Sequence, residues 1–153
     1  MQFIDPDGRL ILNYSAAQLK EQGLTKKDMG RFEQVVNNLY NMYKDNTQAL
    51  QVISKSTGFS VDRVKNDLQG GKGPNVIIDN TIPGAMQGDS RGVLVQPGVI
   101  KQLAAIDPGD KAALQEQVYA LGVTLGHEYT HYGDETTNGR YTGEQGINGS
   151  FGE

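Results

Sequence analysis

Apolar residues recur at helical spacing through much of the first seventy positions, then gather into short unbroken runs between positions 76 and 95. Met29, Phe32, Val36, Leu39 and Tyr43 stand at i, i+3, i+7, i+10 and i+14, the stripe of an amphipathic helix. Thr25 with Asp28 predicts the N-cap and acidic first turn of that helix. Asn46 and Ser60 predict caps for two further short helices, the first carrying Leu50 and Ile53, the second Val64 and Leu68. At the start, Phe3-Ile4-Asp5-Pro6-Asp7-Gly8-Arg9 reads as a turn leading into a short strand at Leu10-Ile11-Leu12. Gly70-Gly71-Lys72-Gly73-Pro74 divides the helical part from the strand-like part. It is a plain loop, because the glycine spacing of a phosphate loop is missing, no Ser or Thr follows Lys72, and Pro74 has no amide to donate. Val76-Ile77-Ile78 and Val93-Leu94-Val95 then read as two short strands.

The last helix is predicted to start near Asp107-Pro108-Gly109-Asp110, with aspartates to cap it and Pro108 in its first turn. Its stripe runs Leu114, Val118, Leu121, Leu125, and no charge occurs from Gln117 to Gly126, so burial on more than one side is expected. Gly133 is placed as its terminating glycine.

Composition narrows the function classes. A chain of 153 residues suits one domain, expected to span 1–153, and 20 glycines indicate a loop-rich surface. A formal net charge of −4 gives no electrostatic footprint for nucleic acid. There is no run suited to a membrane span and no basic-then-apolar signal segment. The lack of cysteine removes disulfides, thiolate metal sites and cysteine nucleophiles.

Candidate chemistry lies in Leu125-Gly126-His127-Glu128-Tyr129-Thr130-His131-Tyr132-Gly133-Asp134, which uses both histidines of the chain. On a helix, residues four apart share a face, so His127 and His131 can converge on one zinc ion. Glu128 lies about 100° round the helix, within reach of a metal-bound water but poorly placed as a ligand. That is the division of labour of H-E-x-x-H: two neutral imidazole ligands and a carboxylate to accept a proton from water. With two histidines and seven glutamates, random placement gives this arrangement on the order of once in a thousand shuffles. A metal-free pair in a core would instead need two separate hydrogen-bond arrangements.

Catalytic zinc takes three protein ligands and a water, and no third histidine exists. The remaining ligand must be a carboxylate, and Asp134, Glu135, Glu144 and Glu153 lie downstream. If the helix continued through Gly133, Asp134 would lie about 10 Å along the axis from His127, too far to share one ion. The spacing of the third histidine in H-E-x-x-H-x-x-G-x-x-H is not matched, since position 134 is Asp and position 137 is Thr.

Thr124-Leu125-Gly126-His127-Glu128-Tyr129-Thr130-His131-Tyr132 resembles the extended zinc-binding signature of the zincin metallopeptidases, departing from it at Gly133. The His127–Asp134 stretch and the Phe3–Arg9 opening also resemble the metallopeptidase toxin domains at the C-termini of bacterial Rhs/YD-repeat proteins. The resemblance implies an α+β, zincin-like fold: a helical N-terminal part, a small twisted sheet, and a buried His127–His131 helix beneath it. It implies an edge strand that pairs with an extended peptide, for which Val93-Leu94-Val95 is the candidate. In the gluzincin arrangement a glutamate from a second helix completes the site. Thr136–Gly149 is such a loop, and Ser150-Phe151-Gly152-Glu153 can open the helix or simply form a capping box. Glu153 ranks first as third ligand, Glu144 second and Asp134 third. Because Glu153 ends the sequence, its helix is expected to continue beyond it.

The expectation is therefore a zinc peptidase with Glu128 as general base and His127, His131 and Glu153 as ligands. By resemblance it is an exported effector domain of a larger bacterial toxin, acting on protein or peptide and paired with a cognate immunity protein. An inactive zinc-binding fragment and a metal-free interaction domain are the alternatives. Tyr132 and Tyr141 are available to assist an oxyanion, but tyrosines more often pack, and neither is assigned.

Overall fold

A computed structural model describes residues 11–12, 14–69 and 73–139. The element order is β1 (Ile11–Leu12), α1 (Ala16–Glu21), α2 (Lys26–Asn37), α3 (Leu39–Tyr43), α4 (Thr47–Thr57) and α5 (Val61–Gln69). These are followed by β2 (Asn75–Ile78), β3 (Met86–Asp89), β4 (Gly92–Val95), α6 (Pro97–Ala104) and α7 (Lys111–Asn138). The fold is α+β, with a helical N-terminal part, a small sheet and a long helix carrying both histidines.

Local sequence accounts for most of these helices. Thr25 and Asp28 form a reciprocal capping box on α2, each side chain accepting the other's backbone N–H. Asn46 accepts the Ala49 N–H to cap α4, and Ser60 accepts the Arg63 N–H ahead of α5. The predicted stripe is real, since Met29, Phe32, Val36, Leu39 and Tyr43 are all buried. It is nonetheless carried by two helices, because the backbone at Asn38 leaves helical geometry (φ −98°, ψ 0°) and restarts as α3 with the same face inward.

β1, β2 and β4 run parallel and β3 lies antiparallel on the outside, in the order β1-β2-β4-β3. This corrects the expected edge strand. Val93-Leu94-Val95 belongs to β4, which is paired on both sides and buried at every position. Its unbroken apolar run is the pattern of a doubly covered strand, and the edge next to α7 is β3.

α7 corrects two further expectations. It starts at Lys111 on an Asp110 cap, so Pro108 lies in the preceding turn. It also runs through Gly133 to Asn138 and ends at Gly139, whose φ of 73° is the left-handed terminator. The uncharged stretch after Gln117 is covered on one side only at first, with Tyr119 65% exposed, and becomes deeply packed from Leu121. The Phe3–Arg9 turn and the Gly70-Gly71-Lys72 part of the dividing loop lie outside the described residues.

Candidate metal centre

The second half of α7 has two faces. Leu121, Gly122, Leu125, Gly126, Tyr129, Thr130, Gly133 and Asp134 are buried, whereas His127, Glu128, His131 and Tyr132 are half-buried. Glycines bring the buried face close to the neighbouring helices. A Cβ at Gly126 would stand 2.1 Å from the Tyr43 hydroxyl, and one at Gly133 would stand 2.3 Å from the Thr57 methyl. Gly133 therefore serves close helix packing in the middle of α7, which explains why it departs from the hydrophobic residue of the signature.

A polar lock fixes the rotation of this helix. The Tyr129 hydroxyl donates to Asp67 Oδ2 at 2.6 Å, and Arg63 Nε lies 3.4 Å from the same oxygen. The Arg63 guanidinium in turn stacks over the Phe59 ring at 3.8 Å. Burial, then the bond to Asp67 and its charge, push the Tyr129 phenol far above its usual range, so it stays a donor at any ordinary pH.

With the helix so held, the two imidazoles converge. His127 Nε2 and His131 Nε2 lie 2.9 Å apart, their rings nearly perpendicular at 87°. Burial and the neighbouring His127 lower the His131 pKa to about 4, against an opposing pull from Asp134. His131 is thus neutral at physiological pH, the state that ligates a metal. Glu128 Oε1 accepts the backbone N–H of Gly88, on the edge strand β3, at 3.0 Å. Ligand atoms of His127, Glu128 and His131 all fall within 4.8 Å of one another, the one such group of three among the described residues. The donor set fits a borderline-soft divalent ion: two imidazole nitrogens already close to one another, with a carboxylate beside them.

The structure therefore brings together His127, Glu128 and His131 as the spacing predicted. Asp134 sits further along the continuous helix, buried and accepting the Asn138 side-chain amide at 2.7 Å, and is set aside as a ligand. Glu135 lies on the same continuous helix, outside the group of three. Glu144, Glu153 and Tyr141 lie outside the described residues. Tyr132 packs edge-on against Phe59 and beside Tyr129, a packing role. Sequence reasoning missed Gly88, which stands 40 positions before its partner in a stretch with no motif.

Among the described residues no helix is long and apolar enough to cross a membrane. Searches of curated proteins and of solved structures give no match. A family model, Metallopeptidase toxin 3, matches residues 25–152, from the cap of α2 past the histidine helix. With that span including the whole His127–His131 site, the chain belongs to the metallopeptidase toxin 3 family.

Proposed function

We propose that this chain is a zinc-dependent peptide-bond hydrolase and the effector domain of a larger bacterial polymorphic toxin. The observation that carries the chemistry is the convergence of His127 and His131 at 2.9 Å with the Glu128 carboxylate alongside. His127, His131 and Glu153 hold the ion, with Glu144 the next choice for the third position. Zinc, when bound, supplies Lewis-acid polarisation of a carbonyl and lowers the pKa of water towards 7.

The protein's own residues do the rest. Glu128 takes a proton from the attacking water as it adds to the scissile carbonyl. It then delivers that proton to the departing amine nitrogen as the C–N bond breaks. The outer edge of β3, beside α7 and paired with no further strand among the described residues, accepts an extended peptide by backbone pairing, which reads shape more than side-chain identity. Linkage to an Rhs/YD-repeat shell, delivery into a target cell and a cognate immunity protein are read from the resemblance of the Phe3–Arg9 opening and the His127–Asp134 stretch.

The test is cleavage of labelled casein by the zinc-loaded protein. Activity should vanish with a chelator and fall by about a thousandfold or more in Glu128→Gln, which keeps its zinc. A Glu128→Gln protein as active as the parent would remove the general-base assignment.

A further inference from the structure

We infer that Gly88 is a positioning residue for Glu128: its backbone N–H clamps the carboxylate, and the close approach of β3 and α7 admits only glycine there. This rests on the general-base reading of Glu128 given above.

Three observations carry it. First, the Gly88 N–H donates to Glu128 Oε1 at 3.0 Å, a bond that ties the edge strand to the active helix across 40 residues of chain. A donor to an ionised carboxylate makes one of the stronger and more directional hydrogen bonds available to a protein. Second, the sheet register aims that N–H outward. Gln96 donates to Ala85 O at 2.9 Å, and Gln87 pairs with Leu94 and Asp89 with Gly92. In an antiparallel ladder the bonded pairs alternate with non-bonded ones, so Met86 and Gly88 present their backbone groups to the side away from β4. Third, space forbids a side chain. A Cβ at position 88 would stand 1.8 Å from the Glu128 carbonyl oxygen and 2.7 Å from its carbon, both backbone atoms that cannot turn aside. Gly88 has no positive φ, so the glycine is required by this contact rather than by backbone conformation.

The consequence is mechanical. Glu128 sits on a half-buried helix face with three side-chain torsions to restrict, and one backbone donor fixes where its carboxylate points. The same strand turns the outer side of Met86 away from β4, where a peptide can pair, so pairing with β3 sets the substrate in register with the carboxylate that β3 already holds. Gly88 is thus a link between the binding edge and the proton acceptor.

Gly88→Ala is expected to lose activity but mixes a steric clash with the lost bond, so the decisive variant is an ester. Replacing Gly88 by glycolic acid in the full chain deletes the N–H and adds no atom at Cα. With zinc-loaded protein and labelled casein, kcat should fall roughly tenfold or more while KM and zinc content stay within about twofold. An unchanged kcat, or a loss confined to KM or zinc content, would overturn the role. A second readout needs no activity. In Glu128→Ala the Gly88 amide proton should shift upfield and exchange with solvent at least about tenfold faster than in the parent. An unmoved Gly88 signal would show that the clamp does not form. A parent that cleaves nothing while the Gly88 amide responds would count against the peptidase reading alone.

Discussion

Replacing Tyr129 with phenylalanine removes one oxygen and takes from the buried Asp67 carboxylate its shortest hydrogen bond, leaving Arg63 as its partner. The Asp67 side chain is 3% exposed and is held by the hydrogen bond from the Tyr129 hydroxyl at 2.6 Å and an ion pair with Arg63 at 3.4 Å. A hydrogen bond to a charged group contributes about 1.5–3 kcal/mol, and leaving the acceptor buried places the loss in the upper part of that range. The expected cost is therefore about 2–3 kcal/mol, or a fall in Tm of about 5–10 °C for a chain of this size. Urea unfolding of the metal-free protein is the assay, since bound zinc would add its own linkage. Removing both partners in Asp67→Leu/Tyr129→Phe should cost less than the two single changes summed, by about 1 kcal/mol or more, because neither the carboxylate nor the phenol is left buried without the other. A Tyr129→Phe loss below about 0.5 kcal/mol, or strict additivity in the double variant, would refute the reasoning.

Gly133→Ala should destabilise the protein by about 1–3 kcal/mol, because its Cβ meets Thr57 at 2.3 Å and Phe59 at 3.1 Å; urea midpoints would show it. Gly98→Ala in α6, with nothing within 4 Å, should be neutral or stabilising in the same assay. The metal-free protein should lose stability as pH falls. His131 titrates at about 4 when folded against an ordinary 6.5, so the unfolded chain binds the proton first and the stability present above pH 6.5 drains as pH falls towards 4. Urea midpoints from pH 7 to 4 should fall more steeply for the parent than for His131→Gln; identical slopes would contradict this. In competitive chelator titration, Glu153→Ala should weaken zinc binding markedly and Glu144→Ala less; the reverse order would move the ligand role to Glu144.

What could be read from the sequence was what neighbouring residues decide. Capping pairs such as Thr25 with Asp28, and the inward stripe from Met29 to Tyr43, are local physics and appear as predicted. The histidine spacing is local in the same sense, because one helical turn sets it. β3 is different: Met86-Gln87-Gly88-Asp89 has little strand propensity, and pairing with β4 makes it a strand. α1 and α6 did leave signals, the Ser15–Gln18 capping box and Pro97 at the first helical position, but each is a short element of six to eight residues. Gly133 misled for a physical reason. Glycine ends helices through its conformational freedom, yet here it lacks a side chain so that α4 can approach, and only the tertiary structure separates the two uses. The contact between Gly88 and Glu128 had no local signature at all, being created by the docking of β3 on α7.

The central claim is that one metal ion sits on the His127–His131 pair. Elemental analysis of the protein after zinc loading and desalting tests it, comparing the parent with His127→Ala/His131→Ala. The account predicts one zinc per parent chain and none tightly held in the double variant, with both proteins folded by circular dichroism. One zinc retained per chain in the double variant would contradict it.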